Sequence, residues 1–387
     1  SIDESKKDEN IIEISSKKDL PEILSIAKGD FYDHNVIIEA IRRFVESAVK
    51  GEKKYKATYE LLKKNYPKIK NIKEGETIIK EGDFLKESFK TVESMQNSYL
   101  YFQGPPGVGK TYTAAYIIIE LIKKSKKIGI TANSHKVIFN LLNKIEELAK
   151  DNFSFEGYHK CGNTPDKRFD DGKFIKNISD SKKMDMKFKT MDESLFSGTP
   201  WCFSRPACEE KLDYIFIDEA GQLTTADIVA TSLSAKNVVI IGDQMQLSSP
   251  ISAVHPGESG KSLPEYLLEG KDTISSSKGI FIDKSRRLHP KLCKFISENF
   301  YDGRLKNFDT EKRKIAFSKK ENLLPETGIL MVDAKHKEAC RQKSEEEGKI
   351  VKDFYNKLLG STFSDNKNPK KRMNEEDILV VAPYNVQ

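Results

Sequence analysis

Long hydrophobic runs are missing from this 387-residue chain. No apolar stretch reaches the roughly eighteen residues that a membrane-spanning helix needs. Cysteine is sparse as well: there are five, with no C-x-x-C pair. An odd number without framework spacing excludes a disulfide scaffold and predicts reduced thiols in a cytoplasmic setting. His159, Cys161, Cys202 and Cys208 could be gathered into a metal site, but their spacing fits no ligand pattern, and we expect unrelated residues. A strong charge of one sign is also lacking. Lys and Arg number 65 against 59 Asp and Glu, a net charge of +6, which permits a nucleic-acid partner without demanding one. Internal repeats are absent, and no carboxylate–lysine cluster of a nuclease is visible in the first 95 residues. The chain starts at Ser1 without a methionine, as expected of a piece of a longer protein.

Charged residues make up 32% and hydrophobic ones 37%, the balance of a soluble chain with core segments. The length suits two or three domains. Residues 1–95 are rich in Lys and Glu with helical patterning. NVIIEAIRRFVESAVKG (35–51) reads as an amphipathic helix ending at a glycine, and YKATYELLKKNYP (55–67) as another stopped by proline. From Ser98 strands and helices alternate. YLYFQ, KIGITA (127–132), YIFID (214–218) and VVIIG (238–242) are apolar runs suited to a parallel sheet covered on both faces. Residues 151–197 read as a polar, irregular insert, with nine Lys/Arg against seven Asp/Glu over 151–190. A second alternating block opens at GIFID (279–283), with GILMVD (328–333) and DILVVAP (377–383) as further buried strands and a helix over 345–359. The expected organisation is therefore α/β: a helical segment at 1–95, a P-loop domain at 96–278, and a second domain at 279–387 that is truncated at its end.

The chemistry is concentrated in three motifs. In SYLYFQGPPGVGKTYT (98–113), YLYFQG resembles the scar of an engineered cleavage site. Such scars sit at chain ends, whereas this one lies a quarter of the way along, between a strand-like run and a helix-length apolar segment. That setting is the one a P-loop requires. Gly104, Gly109, Lys110 and Thr111 fill G-x-x-x-x-G-K-T, a pattern met by chance in a chain of this length about 1% of the time at average residue frequencies. Residues Gly104, Pro105, Gly107, Val108, Gly109, Lys110, Thr111 and Tyr112 would cradle the phosphates of ATP through backbone N–H groups, with Lys110 on the β- and γ-phosphates and Thr111 on Mg²⁺. DYIFIDEAGQ (213–222) delivers Asp218 to the metal shell and Glu219 to the attacking water. GDQMQL (242–247) places Asp243 and Gln246 as sensors of the γ-phosphate.

These motifs, in this order, resemble superfamily 1 helicases of the 1B branch that includes the nonsense-mediated-decay helicase. TANSHKVIFNLL (131–142) and SGTPWCF (197–203) resemble its strand-contacting motifs, SRRLHPKLCKFISENFYDGRL (285–305) its arginine-bearing motif, and VVAPYNVQ (380–387) a motif of its second domain. HPGESGKSLPEYLL (255–268) is similar to a bacterial family that joins a RecB-like nuclease to such a motor. The resemblance implies two RecA-like domains with parallel sheets and Arg287 as an arginine finger. It places Arg286 and Tyr384 near the base and the cleft, and Gln387 beside them. Thr131, Ser134, His135 and Thr199 would meet a single strand of DNA or RNA, with 5′→3′ movement and a nuclease as linked or associated partner. Two departures stand out. Many relatives carry an adenine-reading glutamine about seventeen residues before the P-loop, where this chain has Glu87, with Gln96 nearby. The late motifs of the second domain are also absent. Two other readings are a catalytically weak clamp serving a nuclease, and a P-loop ATPase with a substrate other than nucleic acid.

Overall fold

The computed structural model describes residues 2–3, 13–14, 34–52, 54–149, 153–170, 172–247, 257–317, 324–336, 342–364 and 370–382. The chain divides into residues 1–35 and 36–387. In the first unit, the described residues include one antiparallel pair, Ile2–Asp3 with Glu13–Ile14.

The second unit opens with helices. In α1 (Asn35–Val49), Ile37, Ala40, Phe44 and Ser47 are buried, the three- and four-residue spacing of one helical face. That face packs on Tyr55, Val229, Ala230 and Leu233. Helices α2 (Lys56–Leu62) and α3 (Phe84–Glu93) follow. The Thr58 hydroxyl in α2 lies 2.8 Å from that of Ser232.

An all-parallel sheet of eight strands forms the centre. In chain order its strands and helices are β1 (Tyr99–Gln103), α4 (Lys110–Lys123), β2 (Ile128–Thr131), α5 (His135–Ala149), β3 (Gly157–Lys160), β4 (Ile175–Ile178), α6 (Ser181–Thr190), β5 (Leu195–Ser197), α7 (Pro200–Phe203), β6 (Leu212–Ile217), α8 (Thr225–Ser232), β7 (Ala235–Gly242), α9 (Leu263–Leu268) and β8 (Gly279–Phe281). Their spatial order is β8–β1–β7–β6–β2–β5–β3–β4. All five residues of β1 are buried, which explains how an aromatic run serves as a central strand. Its polar tips are paired, with the Tyr99 hydroxyl donating to the Asn65 carbonyl (2.7 Å) and that of Tyr101 to Gly242 (3.3 Å).

Two sequence expectations are corrected here. The insert is not irregular: β3, β4 and β5 extend the sheet by three parallel strands. Its strands are short and polar in half their positions. Their anchors (Phe155, Phe169, Phe174, Phe188 and Phe196) are buried but too widely spaced to register as a run. Likewise, 279–283 does not open a second sheet. Ile280 and Phe281 pair with Phe102 and Gln103, so β8 is the edge strand beside the P-loop strand.

Beyond β8, β9 (Lys284–Ser285) pairs in parallel with β10 (Lys306–Asn307), and α10 (Pro290–Phe300) lies between them in sequence. Strands β11 (Lys314–Ala316), β12 (Thr362–Ser364) and β13 (Lys371–Arg372) form an antiparallel sheet, and α11 (Glu345–Leu358) precedes β12. The strands expected at 328–333 and 377–383 are not found among the described residues. Met331 is 92% exposed and Leu379 86%. An apolar run becomes a strand only when a neighbour pairs its backbone, and none does among the described residues.

Candidate nucleotide and strand-binding site

The order β8–β1–β7–β6 places the ends of four neighbouring strands side by side. Gln103 is opposite Gly242 and also opposite Phe281, and Ile217 is opposite Ile240. The P-loop follows β1, Asp218 and Glu219 follow β6, Asp243 follows β7, and the two arginines follow β8. Ligands of open parallel sheets bind outside such carboxyl ends.

The P-loop is built for close approach. Gly107 and Gly109 have φ of +76° and +87°, the left-handed region that glycine enters freely. A Cβ on Gly104 would stand 2.3 Å from Lys110 Cγ. Lys110 Nζ donates to the Gly104 carbonyl at 2.9 Å and lies 3.5 Å from Glu219 Oε1. Glu219 has φ +48°, a strained setting for a side chain of this kind. Its N–H donates to Asp218 Oδ1 at 2.9 Å. Thr111 is half-buried at the start of α4, and Tyr112 is exposed. Pro105 and Val108 complete the loop, and Val108 is buried in the core.

Asp218 is 3% exposed. Burial, reinforced by the charge of Glu219, pushes its carboxyl up to about 6. A sequestered acid whose charge is poorly compensated, at the end of the strand two places from the P-loop strand, fits a divalent cation. Asp218 and Thr111 are the residues that would hold Mg²⁺, which supplies charge neutralisation at the phosphates when bound.

Gln246 is tied back. Gln246 Nε2 donates to Asp243 Oδ2 at 3.1 Å, and the same oxygen accepts the Tyr301 hydroxyl at 2.8 Å. The arginine segment is docked on the P-loop through its backbone. Arg286 N donates to the Gly107 carbonyl at 2.8 Å. The buried Ser285 hydroxyl donates to the Pro106 carbonyl at 3.0 Å and faces the N–H groups of Arg287 and Leu288. A Cβ on Gly107 would stand 2.2 Å from that of Arg287. Both arginine side chains are exposed. The Arg286 guanidinium lies over the Phe308 ring, 4.4 Å from its centre. Arg287 lines a cavity of about 520 Å³ together with His289, Arg313 and Glu326. Tyr384 and Gln387 lie outside the described residues. Ser285 and Tyr301 fall within the arginine-bearing stretch, but the sequence assigns them no role, because a single serine or tyrosine carries no signal until the fold shows what it holds.

The four strand-contact candidates divide. Thr131 is corrected: it is fully buried, its hydroxyl has no partner among the described residues, and its carbonyl accepts the Asp218 N–H at 2.9 Å. As the last residue of β2 it supports the site from beneath. Ser134 accepts the Val137 N–H at 3.3 Å, a helix cap. Thr199 is half-exposed before α7. His135 Nδ1 lies 3.0 Å from His159 Nε2, and His159 Nδ1 lies 2.9 Å from Ser197 Oγ. Burial pushes His159 down to about 3 and lowers His135 as well. Glu87, where relatives carry glutamine, is ion-paired with Lys90 at 2.8 Å.

Two family models match the chain. Residues 38–246, over half of the chain, match the family model described as Type III restriction enzyme, res subunit, and residues 260–387 match one described as AAA domain. The DNA polymerase alpha-associated DNA helicase A of Schizosaccharomyces pombe is 22% identical over 343 residues, 73% of this chain and 50% of that protein. The Regulator of nonsense transcripts 1 homolog of Arabidopsis thaliana is 26% identical over 250 residues, 55% of this chain and 19% of that protein. The chain belongs to the superfamily 1 helicases. Another relative in this family is the S. pombe DNA replication ATP-dependent helicase/nuclease dna2, 26% identical over 178 residues, 44% of this chain and 12% of its own length. Among solved structures, an arterivirus nonstructural protein 10 helicase with DNA is 15% identical and covers 54% of this chain and 42% of its own, with a TM-score of 0.37. The chain spans half or less of the length of these relatives. Among the described residues, no helix is long and apolar enough to cross a membrane.

Proposed function

We propose that this chain is the ATP-hydrolysing motor of a helicase that moves along single-stranded nucleic acid. The observation that carries the reading is the meeting of Lys110, Glu219 and Asp218 beside a P-loop on which the Arg286–Arg287 backbone is docked. ATP is the substrate. The P-loop N–H groups and Lys110 hold its phosphates, and release of Lys110 from the Gly104 carbonyl frees the ammonium to do so. Glu219 takes the proton of the attacking water, and Arg287 stabilises charge on the transferred phosphoryl group. Gln246 leaves Asp243 to sense that group. The second lobe lies past Leu288, and its closure on the P-loop domain around nucleotide alternates the grip on the strand. Ser134, His135 and Thr199 face that strand. Movement runs 5′→3′, and a nuclease is the covalent or associated partner. The cytoplasm is the proposed location.

ATPase assays with and without oligo-dT or oligo-U test this reading. Wild-type turnover should rise with strand present, and Lys110→Ala should abolish it in both conditions. Turnover indifferent to both polymers would point to a P-loop ATPase acting on another substrate. Strand binding by both proteins with no turnover in either would point to a clamp.

A further inference from the structure

The insert does more than widen the sheet. Along β2–β5–β3–β4 the registers are Ile130 with Ser197, His159 with Ser197, and Lys160 with Ile178. Groups leaving the carboxyl ends therefore stand in a row: Ser134 and His135 after β2, Thr199 after β5, Lys160 closing β3, and Ser179 to Lys183 after β4. At about 4.8 Å per strand the row is about 14 Å wide. Alternation along β3 sends His159 under α5 toward His135 and sends Tyr158 and Lys160 to the opposite face. There the Lys187 ammonium lies over the Tyr158 ring at 4.8 Å and is paired with the buried Glu193.

Between β3, β4 and α6 is a cavity of about 520 Å³. Tyr158, Ile178 and the 56% exposed Met186 give it an apolar wall, and Lys183 stands at its edge. Lys160 Nζ reaches across to the carbonyls of Cys161 (3.0 Å) and Ser179 (2.9 Å). A Cβ on Gly198 would stand 3.1 Å from Lys160 Cβ, so the lysine abuts the turn that carries Thr199. Asp180 also lines the cavity, and its carboxylate is turned into capping α6 through the N–H groups of Lys182 and Lys183. Asp185 is bonded to Arg205.

We propose that this cavity seats one nucleotide of the bound strand, prolonging the track beyond the motif residues. The base lies against Tyr158 and Met186, and Lys160 and Lys183 meet the phosphates on either side. An apolar wall flanked by cations is what sequence-tolerant binding of a single strand requires. The proposal rests on the motor reading above.

The test is fluorescence anisotropy of labelled oligo-dT and oligo-U on the full chain, across a salt series. Lys160→Gln and Lys183→Ala should each weaken binding about fivefold at about 0.1 M salt and lower the salt slope by about 0.7. Tyr158→Leu, which keeps an apolar side chain, should weaken binding at unchanged slope. Loss on either polymer supports the seat, provided that ATPase without strand stays at the wild-type level as a check on folding. Wild-type affinity and slope in all three variants would overturn it while leaving the motor reading intact. Failure of the wild type to bind either polymer would overturn both.

Discussion

Asp218 sits where folding and the proposed catalysis disagree. Its carboxyl is raised to about 6 from 3.8, so the native state binds more protons than the unfolded chain between these values, and stability falls as pH rises through that window. Asp218→Asn keeps the acceptor for the Glu219 N–H and removes the disfavoured charge. The nucleotide-free protein should gain on the order of 2 kcal/mol at pH 7 while ATP hydrolysis is lost, as a thermal melt and a phosphate-release assay would show. The residues of this centre were legible in the sequence because a phosphate cradle dictates its own spacing: Gly104 to Thr111 cannot be rearranged and still wrap a phosphate. Ser285 and Tyr301 were not legible, since their roles depend on which loops the sheet order brings together.

At the scale of elements, the contact between the P-loop and the arginine turn is narrow. At Gly107 a methyl group would meet both a positive φ and the Arg287 Cβ. Gly107→Ala should therefore resemble Arg287→Ala, each lowering kcat by about 10³-fold, with nucleotide affinity held better in Arg287→Ala. Steady-state kinetics alongside nucleotide titration would check the pair. The insert shows the opposite case, an element hidden from the sequence. Its strands are three or four residues long and are secured by separate phenylalanines, so neither periodicity nor an apolar run announced them.

The same insert carries a pH dependence. His159 is held neutral, titrating near 3 against 6.5 unfolded. The unfolded chain takes up a proton as pH falls below about 6.5 and the native protein does not, so stability is lost progressively on that side. From pH 7.5 to pH 5 this amounts to about 2 kcal/mol, and His135 adds in the same direction. Lys167 and Asp166 lie near His135, and Lys160, although on the other face of β3, acts on both rings through its charge. His159→Asn should be less stable at pH 7.5 and lose less on acidification, as urea titrations at the two pH values would reveal.

Over the whole molecule, one continuous sheet organises all three motifs, and that architecture followed from the alternation of apolar strands and helices. The segments beyond β8 were less legible. The runs at 329–332 and 379–381 read as buried strands, yet Met331 and Val381 are 92% and 78% exposed. Contiguous apolar exposure on this scale favours association. The apparent molar mass from light scattering should rise with concentration, and the double variant Met331→Lys with Val381→Lys should suppress the rise without altering nucleotide binding.

The two bonds that join Ser285 and Arg286 to the P-loop fix where such a machine can bend. With the arginine turn moored to the phosphate cradle, any swing that parts the halves has its fulcrum past Leu288. In the proposed motor, spent nucleotide would leave while that mooring stays fast.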